Sequence, residues 1–169
     1  MSATHFILTG GTIDKSYDPV RETPTPNDKT VVPYYLERKV RPDIDMSFEE
    51  ICLLDSNDIT EEIRGRILNA VKGAPGRHVV IVHGTSAMTV TADYLHEHLG
   101  ETLDKTVVLV GSMIPLQEFA MSDAGFNLGY ATACVQNLPA GVYICMNGRS
   151  FRAGEVTKNV KQARFEGKD

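Results

Sequence analysis

The chain has 169 residues, with 17 Lys and Arg against 22 Asp and Glu, a formal net charge of −5, and 42% hydrophobic residues. That length suits a single α/β domain spanning residues 1–169, burying roughly 70% of its unfolded-chain surface. The acidic balance, without a basic run interleaved with aromatics, excludes a general nucleic-acid surface. No stretch approaches the ~20 apolar residues that span a bilayer, and MSATHFILTGG has no basic region before a long apolar run. The expectation is a soluble, cytoplasmic protein with small-molecule or protein partners and no membrane contact.

His5 to Thr9 is a short β-capable run ending in Gly10, Gly11 and Thr12. Two glycines let the backbone turn sharply and approach a ligand, leaving Thr12 at the strand's end, although a plain loop threonine fits equally well. Neither GxGxxG nor GxxxxGK[ST] occurs, so no nucleotide cofactor is expected. Asp14 to Arg41 is rich in Pro, Asp, Thr and charge without a sustained apolar period, and residues 14–45 read as a mobile loop with one helical turn near Tyr34 to Glu37. A loop of that length is suited to a lid. Tyr17 is close enough in sequence to fold back over Thr12, or it is a solvent-exposed tyrosine.

Ile51 to Leu54 makes the next strand, leaving Ser56 and Asn57 at its end with short hydrogen-bonding side chains. Asp58, with Glu61 three positions on, is expected to cap a helix that buries Ile63, Ile67, Leu68 and Val71 and stops at Gly73. Val79 to Val82 is a continuous apolar run, as in a parallel strand covered on both faces. Gly84 breaks it, and Met88, Ala92, Leu95 and Leu99 then follow at helical spacing. Thr85 and Ser86 therefore stand between a strand's carboxyl end and a helix's amino end, where ligands bind in open α/β sheets; either residue also suits a simple helix cap. His83 reads as a satisfied strand-end side chain.

Thr106 to Val110 is a fourth buried strand, ending in Gly111, Ser112 and Met113. Ser122 or Asp123 can cap a helix over Ala124 to Gln136, with Phe126, Leu128, Ala131 and Val135 towards one face, and Ala140 to Cys145 supplies a fifth strand. The polar, basic tail beyond it reads as a solvated extension, and composition assigns Lys158 no role. The alternation implies a doubly wound, mostly parallel α/β sheet with flanking helices, Rossmann-like or flavodoxin-like, whose carboxyl edge is a polar pocket. Cys52, Cys134 and Cys145 are odd in number and set in apolar contexts, so they are expected to be reduced core residues. His96 and His98, two apart on a helix, face different ways, and no metal site is expected.

TGGTI at Thr9 to Ile13, DSND at Asp55 to Asp58, HGT at His83 to Thr85, VVLVGSMIP at Val107 to Pro115, FNL at Phe126 to Leu128 and EVTK at Glu155 to Lys158 resemble, in order, the motifs of bacterial-type L-asparaginases. The resemblance covers nearly the whole chain. It implies an amidohydrolase without cofactor in which Thr12 is the nucleophile, Tyr17 the loop tyrosine, Thr85 a second catalytic hydroxyl and Lys158 the catalytic lysine. Gly11, Ser56, Asn57, Gly84, Ser86 and Ser112 would line the substrate pocket, Ser112 mainly through its backbone. The substrate implied is L-asparagine or L-glutamine, and the assembly a homodimer or homotetramer.

A neutral threonine hydroxyl is a poor nucleophile and needs a nearby base. Lys158 could serve through Thr85 if burial lowers its pKa. Attack on the side-chain amide would release ammonia and leave a β-aspartyl ester for water to hydrolyse, with backbone N–H groups holding the oxyanion.

Two departures stand out. The family continues HGT with Asp, whereas Ser86 stands here, and losing one charge-assisted contact costs about 1.5 to 3 kcal/mol. Typical relatives also carry a second α/β domain, so the pocket is expected to be closed by another copy of this domain, by its own loop, or not tightly at all. Both departures leave an amino-acid-binding or sensing module without turnover as the alternative reading.

Overall fold

The apolar run at the amino terminus becomes β1 (Thr4–Gly10), buried along its whole length. The computed structural model describes residues 3–100, 103–117 and 120–168. After β1 come a hairpin of β2 (Lys15–Asp18) and β3 (Thr23–Pro26), a helical turn α1 (Val32–Tyr34) that widens into a π turn over Tyr35–Val40, and β4 (Met46–Leu54). Strand and helix then alternate as α2 (Glu61–Gly73), β5 (His78–Val82), α3 (Met88–Leu99), β6 (Thr106–Val110), α4 (Ala124–Asn137) and β7 (Gly141–Met146). Three short strands close the chain: β8 (Arg149–Arg152), β9 (Val156–Asn159) and β10 (Arg164–Gly167).

The main sheet has six strands in the order β4-β1-β5-β6-β7-β8, parallel except for β8, which runs antiparallel to β7. Numbering its parallel strands by chain position gives 2-1-3-4-5, the flavodoxin-like order, in which the direction of sheet growth reverses between β1 and β5. The expected α/β class is observed. Val79 to Val82 and Val107 to Val110 have no exposed surface, as their uninterrupted apolar runs require. α2 packs on β1 and β4 and beside α3, α3 reaches β7, and α4 lies across β5, β6 and β7. Among the described residues no helix is long and apolar enough to cross a membrane.

Several elements differ from the sequence reading, each for a local reason. The segment from Asp14 to Arg41 has the helical turn expected near Tyr34 but also contains the β2–β3 hairpin. The buried Asp14 carboxylate accepts from Thr30 Oγ1 and from the Val31 amide, both at 2.8 Å, and its carbonyl accepts from the Asn27 amide at 2.9 Å. One buried acid thus organises a stretch with no apolar period. The tail is not a solvated extension: Phe151, Ala153, Val156 and Phe165 are buried. Its strands are four residues long, too short for alternation to stand out among Arg, Lys and Glu.

α2 is capped by Thr60, whose Oγ1 accepts from the Ile63 amide at 3.3 Å; Asp58 instead ends a 3₁₀ turn over Ser56–Asp58. On α4, Phe126 is 64% exposed and Asn127 takes the buried place. The three cysteines are free, but only Cys145 is fully buried, Cys52 and Cys134 being intermediate.

Candidate active site

The reversal between β1 and β5 sets two strand ends side by side and opens the crevice where ligands bind in open α/β sheets. Gly11, at φ +86°, joins the two ends: a Cβ there would collide with the Gly84 backbone, so only glycine permits the contact. Gly84 in turn touches Ser56, where a Cβ would fall 2.7 Å from the Ser56 Cβ. The carboxyl ends of β1, β4 and β5 therefore meet at Gly11, Ser56 and Gly84. Thr12 and Thr85 are the next residues along two of them.

Thr12 opens the 3₁₀ turn Thr12–Asp14 and is half-buried. Thr85 is 6% exposed. The tail brings Lys158, on β9, back to this edge, where its Nζ donates to Thr85 Oγ1 at 2.8 Å. Burial holds the Lys158 amine below the usual lysine range, and the Asp55 carboxylate partly opposes that shift. A lysine so placed gives up a proton more readily than one in water.

Ser56 does the work expected of Thr85 or Ser86 as a cap. Its buried Oγ accepts from the Ala87 amide at 3.0 Å, and Ala87, the N-cap of α3, makes no side-chain cap of its own. Ser86 is exposed. Asn57 is exposed and turned onto Asp55, donating its backbone and side-chain N–H to Oδ1, both at 3.1 Å. Ser112 is buried, its hydroxyl donating to the Ile114 carbonyl at 2.6 Å, so its side chain is absorbed by its own loop. Tyr17 lies on β2 opposite Pro24, 48% exposed, and lines a cavity of about 450 Å³ together with Asn27 and Gln117.

Three residues that lie within the DSND, VVLVGSMIP and FNL motifs, but to which the sequence assigns no role, also stand at the site. Asp55 receives Lys15 Nζ at 3.1 Å as well as Asn57, and the Asn57 amide is the first cause that keeps its carboxyl below the usual range. Met113 places its sulfur 3.7 Å from Thr85 Oγ1. Asn127 donates from Nδ2 to the Gly111 carbonyl and to Asp123, both at 3.0 Å. Asn127 is marked further as an amide in the middle of an apolar helix. His83 is the satisfied side chain expected: burial pushes its pKa down to about 4, so the neutral ring donates from Nδ1 to the Gly84 carbonyl at 2.8 Å and accepts at Nε2 from Thr91 at 2.9 Å.

Residues 4–166 match the family model described as Asparaginase, N-terminal. The chain belongs to the asparaginase family. Over 109 residues, 63% of the chain and 32% of the relative, it is 38% identical to L-asparaginase 1 of Escherichia coli (strain K12). It is also 38% identical over 98 residues to the glutaminase-asparaginase of Acinetobacter glutaminasificans, covering 56% of the chain and 29% of that protein. Among solved structures, L-asparaginase I from Vibrio cholerae superposes with a TM-score of 0.86 at 24% identity, over 99% of this chain and 52% of that one. The probable cytoplasmic L-asparaginase from Campylobacter jejuni gives 0.82 at 30% identity, over 100% and 54%. This asparaginase-family domain thus spans about half the length of those solved relatives.

Proposed function

We propose that this domain carries the nucleophilic half of an L-asparagine amidohydrolase site, with Thr12 as nucleophile and Thr85 and Lys158 as its base. The observation that carries the reading is the 2.8 Å contact from Lys158 Nζ to the buried Thr85 hydroxyl, with Gly11, which precedes Thr12, packed against Gly84, which precedes Thr85. In its neutral form Lys158 takes the Thr85 proton while Thr85 Oγ1 draws the proton from Thr12. Thr12 Oγ1 then attacks the side-chain amide carbon, ammonia leaves, and water hydrolyses the β-aspartyl ester to L-aspartate. Amide N–H groups at the β1 and β5 ends face the developing oxyanion.

Asn57 and the backbone at Ser56, Gly84 and Ser112 hold the substrate's amino-acid end, and Tyr17 closes over it from the β2–β3 hairpin. Ser86 leaves the lysine without a neighbouring carboxylate on the same turn, which lowers turnover. L-glutamine is the competing substrate, and a homodimer or homotetramer in the cytoplasm is the expected assembly.

Ammonia release from L-asparagine by the full chain tests this. Thr12→Ala is expected to reduce it by at least ~10³-fold, the scale of losing a covalent nucleophile, and Ser86→Asp to raise it. A folded protein that releases none, before or after Ser86→Asp, overturns the reading. The exposed Ser86 favours one other: binding of asparagine or aspartate by calorimetry, without turnover, identifies an amino-acid sensor.

A further inference from the structure

An ammonium group has three donors and no acceptor, so while Lys158 is charged it must donate to Thr85 Oγ1 and the hydroxyl's own proton must point elsewhere. The Met113 sulfur, 3.7 Å away, receives it. We propose that Met113 is a modification site: its thioether holds the Thr85 proton loosely, and its sulfoxide holds that proton fast and turns the Lys158–Thr85 pair off. This rests on the function proposed for that pair.

The Met113 backbone is tethered to the start of α4. Asp123 accepts from the Met113 amide at 3.0 and 3.1 Å and from the Ile114 amide at 2.9 Å, and Asn127 ties Asp123 to the Gly111 carbonyl. Met113 is half-buried, whereas Met88 and Met146 have no exposed surface. Peroxide therefore reaches Met113 before those core sulfurs. The sulfur attacks one peroxide oxygen, the O–O bond breaks, an S–O bond forms, and peroxide is reduced to water as sulfur loses two electrons. Reduction by a thiol-dependent sulfoxide reductase returns the thioether, the oxygen leaving as water while two thiols become a disulfide.

A thioether is a weak acceptor, so the Thr85 proton turns to Lys158 whenever that amine is neutral. A sulfoxide oxygen accepts strongly and keeps the proton. Thr85 Oγ1 then serves Lys158 only as an acceptor, which favours the ammonium. The other groups around Lys158 do not reverse this. Asp55, at the end of β4, also favours the ammonium, and β10 sets Phe165 opposite. Glu166 receives Asn159 Nδ2 at 3.1 Å, and Asp93 on α3 receives the Gly154 amide at 2.7 Å.

The test treats the Met121→Leu chain with hydrogen peroxide, since Met121 is 91% exposed and would consume it first. Peptide mass spectrometry follows oxygen addition at Met113, ammonia release follows activity, and ¹³C NMR of the lysine ε-carbons follows Lys158. Release is expected to fall by at least ~10²-fold in step with Met113 oxidation, the scale of a lost general base, and to recover with the reductase. The Lys158 titration is expected to move to higher pH. Met113→Leu, whatever its starting rate, should show no further loss through the treatment, and Met113→Gln should imitate the oxidised protein.

Oxidation at Met113 that leaves the Lys158 titration unmoved, or a Met113 that peroxide does not reach, overturns the proposal. If the untreated chain releases no ammonia, the functional reading fails by itself and the NMR result still decides this one.

Discussion

His83 is a fully buried imidazole next to the turn that carries Thr85, and its two hydrogen bonds require the neutral ring. Its folded pKa of about 4 lies below the ordinary 6.5, so below pH 6.5 the unfolded chain binds the proton and the folded chain does not. Stability is complete above pH 6.5 and falls as pH drops towards 4, by about 3 kcal/mol at the end of that window. Urea midpoints of the wild type and His83→Gln, taken from pH 7.5 to 4.5, check this: the wild-type decline should be steeper, and parallel curves would refute it. Asp55 acts on a different proton. Because its carboxylate raises the pKa of Lys158, Asp55→Asn should let Lys158 lose its proton earlier and move the acidic limb of kcat/KM to lower pH. An unmoved limb would show that Asp55 holds only Lys15 and Asn57.

Among the elements, those read correctly from the sequence were the ones whose neighbours in space are also neighbours in pattern. Val79 to Val82 and Val107 to Val110 announce buried parallel strands because both faces must be apolar. The β2–β3 hairpin and the β8–β10 tail do not, since single buried groups at long range hold them: Asp14 receives Thr30 and Val31, and Phe165 packs opposite Lys158. The candidate site divides the same way. Thr12, Thr85 and the glycines were legible as strand ends, whereas Asp55 and Met113 join the site through side-chain contacts that no local spacing encodes. The helix cap shows how such an error arises, because Asp58 and Thr60 both suit the position and only the hydrogen bond to Ile63 selects Thr60. Thr60→Ala should therefore cost about 1 kcal/mol, with Asp58→Ala near neutral. Equal losses in urea denaturation would return the cap to Asp58.

For the whole molecule, the strand order joins a rigid scaffold to a crowded edge, and glycine has opposite roles in the two. At the edge Gly11 lies at positive φ against the Gly84 backbone, so any side chain forces β1 and β5 apart and moves Thr12 relative to Thr85. At Gly65 and Gly129, inside helices, the same residue only loosens the chain, unlike Gly125 of α4, where a Cβ would fall 2.5 Å from the Tyr35 hydroxyl. A Cβ on Gly65 of α2 would meet the Tyr94 hydroxyl at 3.9 Å, an ordinary contact, and one on Gly129 of α4 would meet nothing within 4 Å. Alanine at either position removes backbone entropy from the unfolded state and stabilises by about 0.5–1 kcal/mol. The two lie on different helices with no shared partner, so their effects should add. The double variant Gly65→Ala/Gly129→Ala is expected to raise Tm by roughly 2–8 °C with the site intact, while Gly11→Ala lowers Tm and abolishes ammonia release. Calorimetry and the ammonia assay on the three chains decide it. A gain in stability from Gly11→Ala would show that the edge is not close-packed, and lost activity in the helical variant would show that scaffold and site are not separable.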